Sequence, residues 1–240
     1  MGRGRLSPAL LLGALAVACR EPAPLRPPAP PAPVACPERA PPPARQLTAP
    51  AYDVAVTPAG TYVVALGAGV QELDPCTLDG LSGCQDLAEA RALALRADGT
   101  VANYRHREGG LVACSLRTGL VGAADPDARG RIEGNPRAED GALTATIDTG
   151  AASLRGPQRA MALPGYDEAV DVDVDARRSL AAVCDRSGAV TLWSTRTGAA
   201  LVRWPGRPRV ACAIALDRAR GRLVTVCDDG RIEVRAVPEG

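Results

Sequence analysis

Beyond the first fifty residues the chain alternates short apolar runs with tight polar turns. Runs of strand length fall at 52–57, 62–66, 93–96, 111–116, 143–147, 180–184, 190–194, 210–216, 222–227 and 232–237. Two sets of turns punctuate them. The first comprises Pro58-Ala59-Gly60, Ala97-Asp98-Gly99, Glu139-Asp140-Gly141, 175–179 and 217–221; the second comprises Gly67-Ala68-Gly69, Glu108-Gly109-Gly110, Asp148-Thr149-Gly150, 185–188 and Asp228-Asp229-Gly230. Gly and Asp at such places allow the positive φ that tight hairpins need. The closing glycines of the second set lie 41, 40, 38 and 42 residues apart. Short strands repeating with a period near 40 residues predict an all-β fold, a β-propeller of about five blades over residues 46–240. The clearest unit is 167–206. The fifth unit ends at Gly240 with no fourth strand of its own, so 46–48 are expected to supply it and close the ring. Without that strand the array would keep open edges, which favour pairing with another chain.

Leu192-Trp193-Ser194, followed by Thr197-Gly198, resembles the end of a WD40 repeat, and 227–237 resembles it more loosely. The resemblance implies blades of four strands with Trp193 in the core. It is partial: no Gly-His dipeptide occurs, His106 is the only histidine, and Ser194 stands where the family carries Asp. The hydrogen-bonded Asp-His-Ser-Trp network of that family therefore cannot be assembled, and the repeats are WD40-like.

The N-terminal part predicts an address. Arg3 and Arg5 precede the apolar stretch 9–18, which is too short to span a bilayer as a helix and reads as a signal peptide over 1–18. Leu15-Ala16-Val17-Ala18-Cys19 resembles the lipobox of bacterial lipoproteins, with Leu one place early. That resemblance implies lipidation of Cys19, membrane attachment through it, and a cell-envelope location; Arg20 after the cysteine favours the outer membrane. Residues 19–45 are rich in proline and predict an extended tether that holds a domain off a surface.

Composition narrows the picture. All 28 basic residues are Arg, the net charge is +1, and Arg and Asp are interspersed without a basic stripe. That lacks the footprint of a nucleic-acid binder. There is no Phe, with only two Trp and four Tyr. The core must rest on Val, Leu, Ile and Ala.

Motifs that carry chemistry are scarce. Asp171, Asp173 and Asp175 form a D-x-D-x-D series, but Ala176 and Ala182 occupy the places where a calcium loop needs Gly and Glu. Alternation predicts paired or solvated carboxylates there. One histidine and scattered cysteines supply neither a zinc site nor a nucleophilic triad, so no metal, cofactor or catalytic residue is expected. Cys76 and Cys84 bracket a short step and are candidates for a disulfide; Cys36 is expected unpaired or linked to a partner, and Cys114, Cys184, Cys212 and Cys227 as small core residues. The longest connection, 122–137, is the candidate binding loop, with Asp125, Asp127, Arg129, Arg131, Glu133 and Asn135. These features predict an envelope lipoprotein whose propeller binds or scaffolds another envelope protein without catalysis. The alternatives are a lactonase- or dehydrogenase-type propeller with a channel site, or an incomplete ring that works inside a larger assembly.

Overall fold

A computed structural model describes residues 35–36, 44–85, 89–106, 108–133, 136–157, 160–163, 168–207 and 209–238. Cys19 and the expected signal peptide lie outside them. After β1 (Arg45–Gln46), four strands form blade 1: β2 (Ala51–Val56), β3 (Tyr62–Leu66), β4 (Gly69–Leu73) and β5 (Gly80–Gln85). Blade 2 holds β6 (Ala90–Leu95), β7 (Val101–His106), β8 (Leu111–Ser115) and β9 (Val121–Ala123). A short helix, α1 (Ala128–Glu133), leads to blade 3, with β10 (Arg137–Asp140), β11 (Leu143–Asp148), β12 (Ala151–Arg155) and β13 (Ala160–Leu163). Blade 4 has β14 (Ala169–Asp175), β15 (Leu180–Asp185), β16 (Val190–Ser194) and β17 (Ala200–Trp204), and β18 (Cys212–Asp217), β19 (Arg222–Cys227) and β20 (Arg231–Ala236) follow. β1 pairs with β20 and completes blade 5. The first strand of each blade lines one central channel. The molecule is thus a propeller-like ring of five antiparallel sheets, closed by its N-terminal strand.

Closure is short in backbone and well fastened by side chains. β1 contributes two residues, Arg45 opposite Ile232 and Gln46 opposite Arg231. Arg45 donates to the Leu78 carbonyl at 2.7 Å and pairs with Asp79 at 2.6 Å; Gln46 Nε2 donates to the Asp229 carbonyl at 2.6 Å. A disulfide between Cys36 and Cys76 ties the preceding segment to the β4–β5 turn.

Four of the five junctions between blades are packed by apolar clusters. They join blade 5 to 1, 3 to 4, 4 to 5, and 1 to 2. Trp193 is buried in the 3–4 cluster, as its place in the repeat implied, while Trp204 on β17 is half-buried beneath Arg235. Among the described residues no such cluster joins blade 2 to blade 3. There α1 lies instead, its buried Ala128 and Ile132 one turn apart on the face that packs against β6 and β7.

The disulfides correct the expected pairing. Cys84 bonds to Cys114, linking β5 of blade 1 to β8 of blade 2, and Cys212 bonds to Cys227 directly opposite it on the β18–β19 ladder. Cys76 sits in the turn, whereas Cys84 stands four residues up β5 from Gly80, opposite Val70. At about 3.3 Å per strand residue that is roughly 13 Å, beyond a disulfide's reach. Cys36, Cys114, Cys212 and Cys227 are therefore bonded; Cys184 alone keeps the expected form, a buried free thiol. Disulfides in these numbers belong to an oxidising compartment outside the cytoplasm. Among the described residues no helix is long and apolar enough to cross a membrane.

Candidate functional site

The channel wall is built from one repeated device. Asp53 on β2 accepts from its neighbour's amide, Val54 N–H, at 2.7 Å with one oxygen and from Leu93 N–H of blade 2 at 2.7 Å with the other. Asp171 bridges Val172 and Ile214 at 2.8 and 2.7 Å, and Asp173 bridges Val174 and Leu216 at 2.7 Å each. In all three cases the second amide belongs to the first strand of the next blade. Asp140 likewise accepts from Ala176 N–H at 2.8 Å, joining blade 3 to blade 4. The D-x-D-x-D series is therefore a pair of staples between blades plus a turn residue: Asp173 and Asp175 are paired, with Arg218 and Arg178, and Asp171 is held by two backbone amides. Burial pushes the Asp53 carboxyl up to about 6, against backbone hydrogen bonds that lower it. Asp171 is raised well above the carboxylate range by burial first and by the charge of Asp53 second, and Asp173 is raised by burial while Arg218 opposes the shift.

A second device locks the turns of blades 4 and 5. Asp175 and Asp217 are buried at the heads of two D-x-x-R turns and pair with Arg178 at 3.0 Å and Arg220 at 2.9 Å. Each arginine then donates to a carbonyl of the next blade, Arg178 to Arg218 and Arg220 to Gly60. Gly60 has φ of +82°, which favours glycine, and a Cβ there would stand 2.5 Å from the Arg220 guanidinium and displace it from the lock. Tyr62 adds a hydrogen bond from its hydroxyl to Asp217 at 3.1 Å.

Blade 2 lacks both devices. Ala90-Arg91-Ala92 stands where blade 1 has Ala51-Tyr52-Asp53 and blade 4 has Ala169-Val170-Asp171, each alanine preceding the same irregularity of the ladder. With Ala92 there is no carboxylate to reach blade 3. The result is a seam, a cavity of about 800 Å³ bounded by Leu93 and Leu95 of β6, Arg131 of α1, and Arg137, Glu139 and Thr146 of blade 3. It shares Arg131, Arg137 and Glu139 with the channel mouth, a cavity of about 590 Å³. On the outer side it continues over blade 3 into a third cavity of about 530 Å³ that includes Arg137, Thr146, Ser153 and Arg155. These three spaces are neighbours along one path over blade 3, with Arg137 in the lining of each.

The expected binding loop divides between structure and cleft. Asp125 is a fastening residue: its N–H donates to Asn103 Oδ1 at 2.8 Å, and Asn103 Nδ2 returns a bond to its carboxylate at 2.9 Å. Asn103 is fully buried on β7, so this two-way bond pins the insertion to blade 2. Arg129 and Glu133 form an exposed i,i+4 pair at 3.7 Å, and Asp127 is exposed. Arg131 enters the cleft. Asn135 lies outside the described residues. Arg137 and Glu139, which pair with each other, and Thr144, Thr146, Ser153 and Arg155 of blade 3 belong to the cleft but were missed from sequence. Their signal was the alternation of Thr and Ala in β11 and of Ala and Ser in β12.

Charge is uneven along this path. Arg91 pairs with Glu89 at 2.5 Å and covers the Tyr52 ring at 4.3 Å. Arg218 pairs with Asp173 at 3.0 Å and Asp140 at 3.5 Å. Among the described residues Arg105, Arg131 and Arg155 have no carboxylate partner. No group of three or more His, Cys, Asp or Glu among the described residues is arranged to hold a metal ion.

No family model matches this chain, and no curated protein matches it. Among solved structures, the crystal structure of Myxococcus xanthus glutaminyl cyclase is similar over 81% of this chain and 95% of that chain, at 13% identity and a TM-score of 0.48. The expectation of a non-enzyme is withdrawn, because a fold of this build hosts enzymes and non-enzymes alike and gives no ground for excluding chemistry; the similar chain is named as an enzyme, and at that TM-score the likeness carries no argument for this chain. At that identity it transfers no reaction either.

Proposed function

We propose that this chain is an extracytoplasmic, WD40-like binding propeller, held at a membrane by lipidated Cys19 through its Pro-rich segment, that receives an envelope partner in the seam between blades 2 and 3. One observation carries the reading: of five junctions between blades, this one alone lacks an apolar cluster among the described residues, and it is lined by Thr, Ser and Arg side chains. A ring can leave one junction unfilled at the expense of stability, and a site for a ligand is a physical reason to do so. The disulfides support the compartment, and the tether sequence supports the anchor.

The test is site-specific photo-cross-linking in intact cells. A cross-linker at Thr146 captures a discrete envelope partner, one at the exposed Arg196 of blade 4 does not, and the mature N-terminus is a lipidated Cys19. Equal capture at both positions, or none at Thr146, would overturn the seam as the binding site; an unmodified N-terminus would remove the anchor.

A second reading is favoured by the channel carboxyls. Asp53 and Asp171 both hold their protons more tightly than ordinary carboxyls, Asp53 through burial and Asp171 through burial and the charge of Asp53. Groups poised in this way at the foot of a cavity suit acid–base chemistry on a channel-bound ligand. Turnover of a bound compound that Asp171→Asn abolishes, with the ring still folded, would favour this reading.

A further inference from the structure

We infer that the seam is built for an extended acidic peptide, lying across blade 3 with its carboxylates toward the arginines. This rests on the seam being the binding site. The strands of blade 3 alternate: Ala145, Ile147, Ala152 and Leu154 turn to blade 4, and the intervening residues turn to the cleft. Ladder register arranges the latter in two rows that run outward from the channel. One row is Arg137, Thr146, Ser153 and Ala162; the other is Glu139, Thr144, Arg155 and Ala160. Four strands at about 4.8 Å spacing make each row roughly 14 Å long, the span of about four extended peptide residues.

The chemistry of the rows selects the occupant. Thr146 Oγ1 and Ser153 Oγ lie 3.0 Å apart and share one hydroxyl proton, which leaves the other to be donated to a ligand. Arg131 on α1 and Arg155 on β12 are exposed guanidinium groups with no carboxylate partner among the described residues. Arg137 and Glu139 neutralise each other, and Asp148, also in the seam lining, sets one negative charge against Arg131 and Arg155. Donors and free positive charge thus prevail over acceptors, the arrangement that carboxylates fit. Of the large apolar residues that border it, Leu93 and Leu95 pack toward blade 1 and Ile147, Leu154 and Met161 toward blade 4, which leaves no apolar stripe for a helix. A sugar chain would find no aromatic face, since the lining of the two outer cavities has none and the Tyr52 ring at the channel mouth is covered by Arg91.

The experiment uses the purified full chain and a fluorescent peptide of six glutamates flanked by glycines. Binding is compared with the same peptide carrying glutamines and with an acidic oligouronide. The glutamate peptide should bind, the glutamine peptide should bind about tenfold or more weakly, and binding should fall with added salt. Arg131→Glu and Arg155→Glu should each weaken it about three- to tenfold, while Arg196→Glu on blade 4 leaves it unchanged. Equal binding of the glutamine peptide, preference for the oligouronide, or indifference to both seam reversals would overturn the proposal. If the Thr146 cross-linker captures a partner while acidic peptides fail to bind, the ligand class falls and the seam stands; if that cross-linker also fails, both fall.

Discussion

In blade 5, β18 and β19 bury every residue; in blade 3, β12 buries every second one. Both come from the same repeat, and the difference lies in their neighbours. Blade 5 is packed on both faces, against blades 4 and 1, and its β18 and β19 read as nearly continuous apolar runs. Among the described residues blade 3 is packed by an apolar cluster on one face only, against blade 4, and its β12 alternates. The polar devices follow the same division. Asp171, Asp173 and the Asp–Arg turns fasten blades 4, 5 and 1 to one another, whereas blade 2 offers Ala92 to blade 3. A repeat protein can thus be uniform in topology while its cohesion, and with it the room for a ligand, is set interface by interface.

Removing core volume should separate the two regions most. Leu223→Ala, at a site with no exposure between blades 4 and 5, should cost about 2–5 kcal/mol in urea unfolding. Thr146→Ala in the seam should change stability by no more than about 0.5 kcal/mol. Comparable losses would mean that the seam is packed.

Closure comes next. Cys36 and Cys76 enclose a loop with a sequence separation of 40. Replacing both by Ser should cost about 3–4 kcal/mol by chain entropy, because the short β1 cannot hold the ring closed as firmly alone. An unchanged melting curve would show that β1 and its side chains suffice.

The staples should contribute less. Asp171→Ala leaves Ile214 N–H without its partner and should cost about 1–3 kcal/mol, read as loss of amide protection in β18. The same protection pattern in β18 with and without the carboxylate would sink the staple role.

The smallest effect is one of pH. Asp53 titrates near 6 in the folded chain against its ordinary 3.8, so the folded state holds this proton more tightly than the unfolded state does. Its contribution to stability is full below about pH 4, falls as pH rises through about 6, and is flat above. Asp53→Asn should remove that slope from a plot of Tm against pH.

Much of the ring was legible because strands buried on both faces announce themselves. The runs 180–184 and 222–227, buried throughout, coincide with strands to within a residue or two at either end, as does the alternating run 232–237, and the closing strand begins one residue earlier than expected, at Arg45. What escaped notice was mostly polar or short: β4 (GVQEL), β5, β7 (VANYRH), β9, β10 and β12 are broken by polar residues or glycine, while β13 (AMAL) and β17 (ALVRW) are apolar but only four and five residues long. The disulfides were misread for a related reason. Pairing depends on which strands lie side by side, and Cys84 meets Cys114 only because blade 1 packs on blade 2. Of the described residues picked out in the long connection 122–137, Asp125 faces Asn103 and only Arg131 lines the cleft, while Arg137 at the end of the connection, not among those picked, lines all three cavities. The wall opposite was encoded in the alternation of LTATID and AASLR, a pattern that a search for apolar runs passes over.

The central claim is that four junctions cohere and one is open, and hydrogen–deuterium exchange of the folded chain, resolved by blade, tests it most directly. The account predicts slow exchange in β15, β18 and β19 and markedly faster exchange in β10 and in α1, with protection rising there when an acidic peptide is added. Uniform protection across the five blades, or a weakest point at the β1–β20 closure instead of the seam, would contradict it.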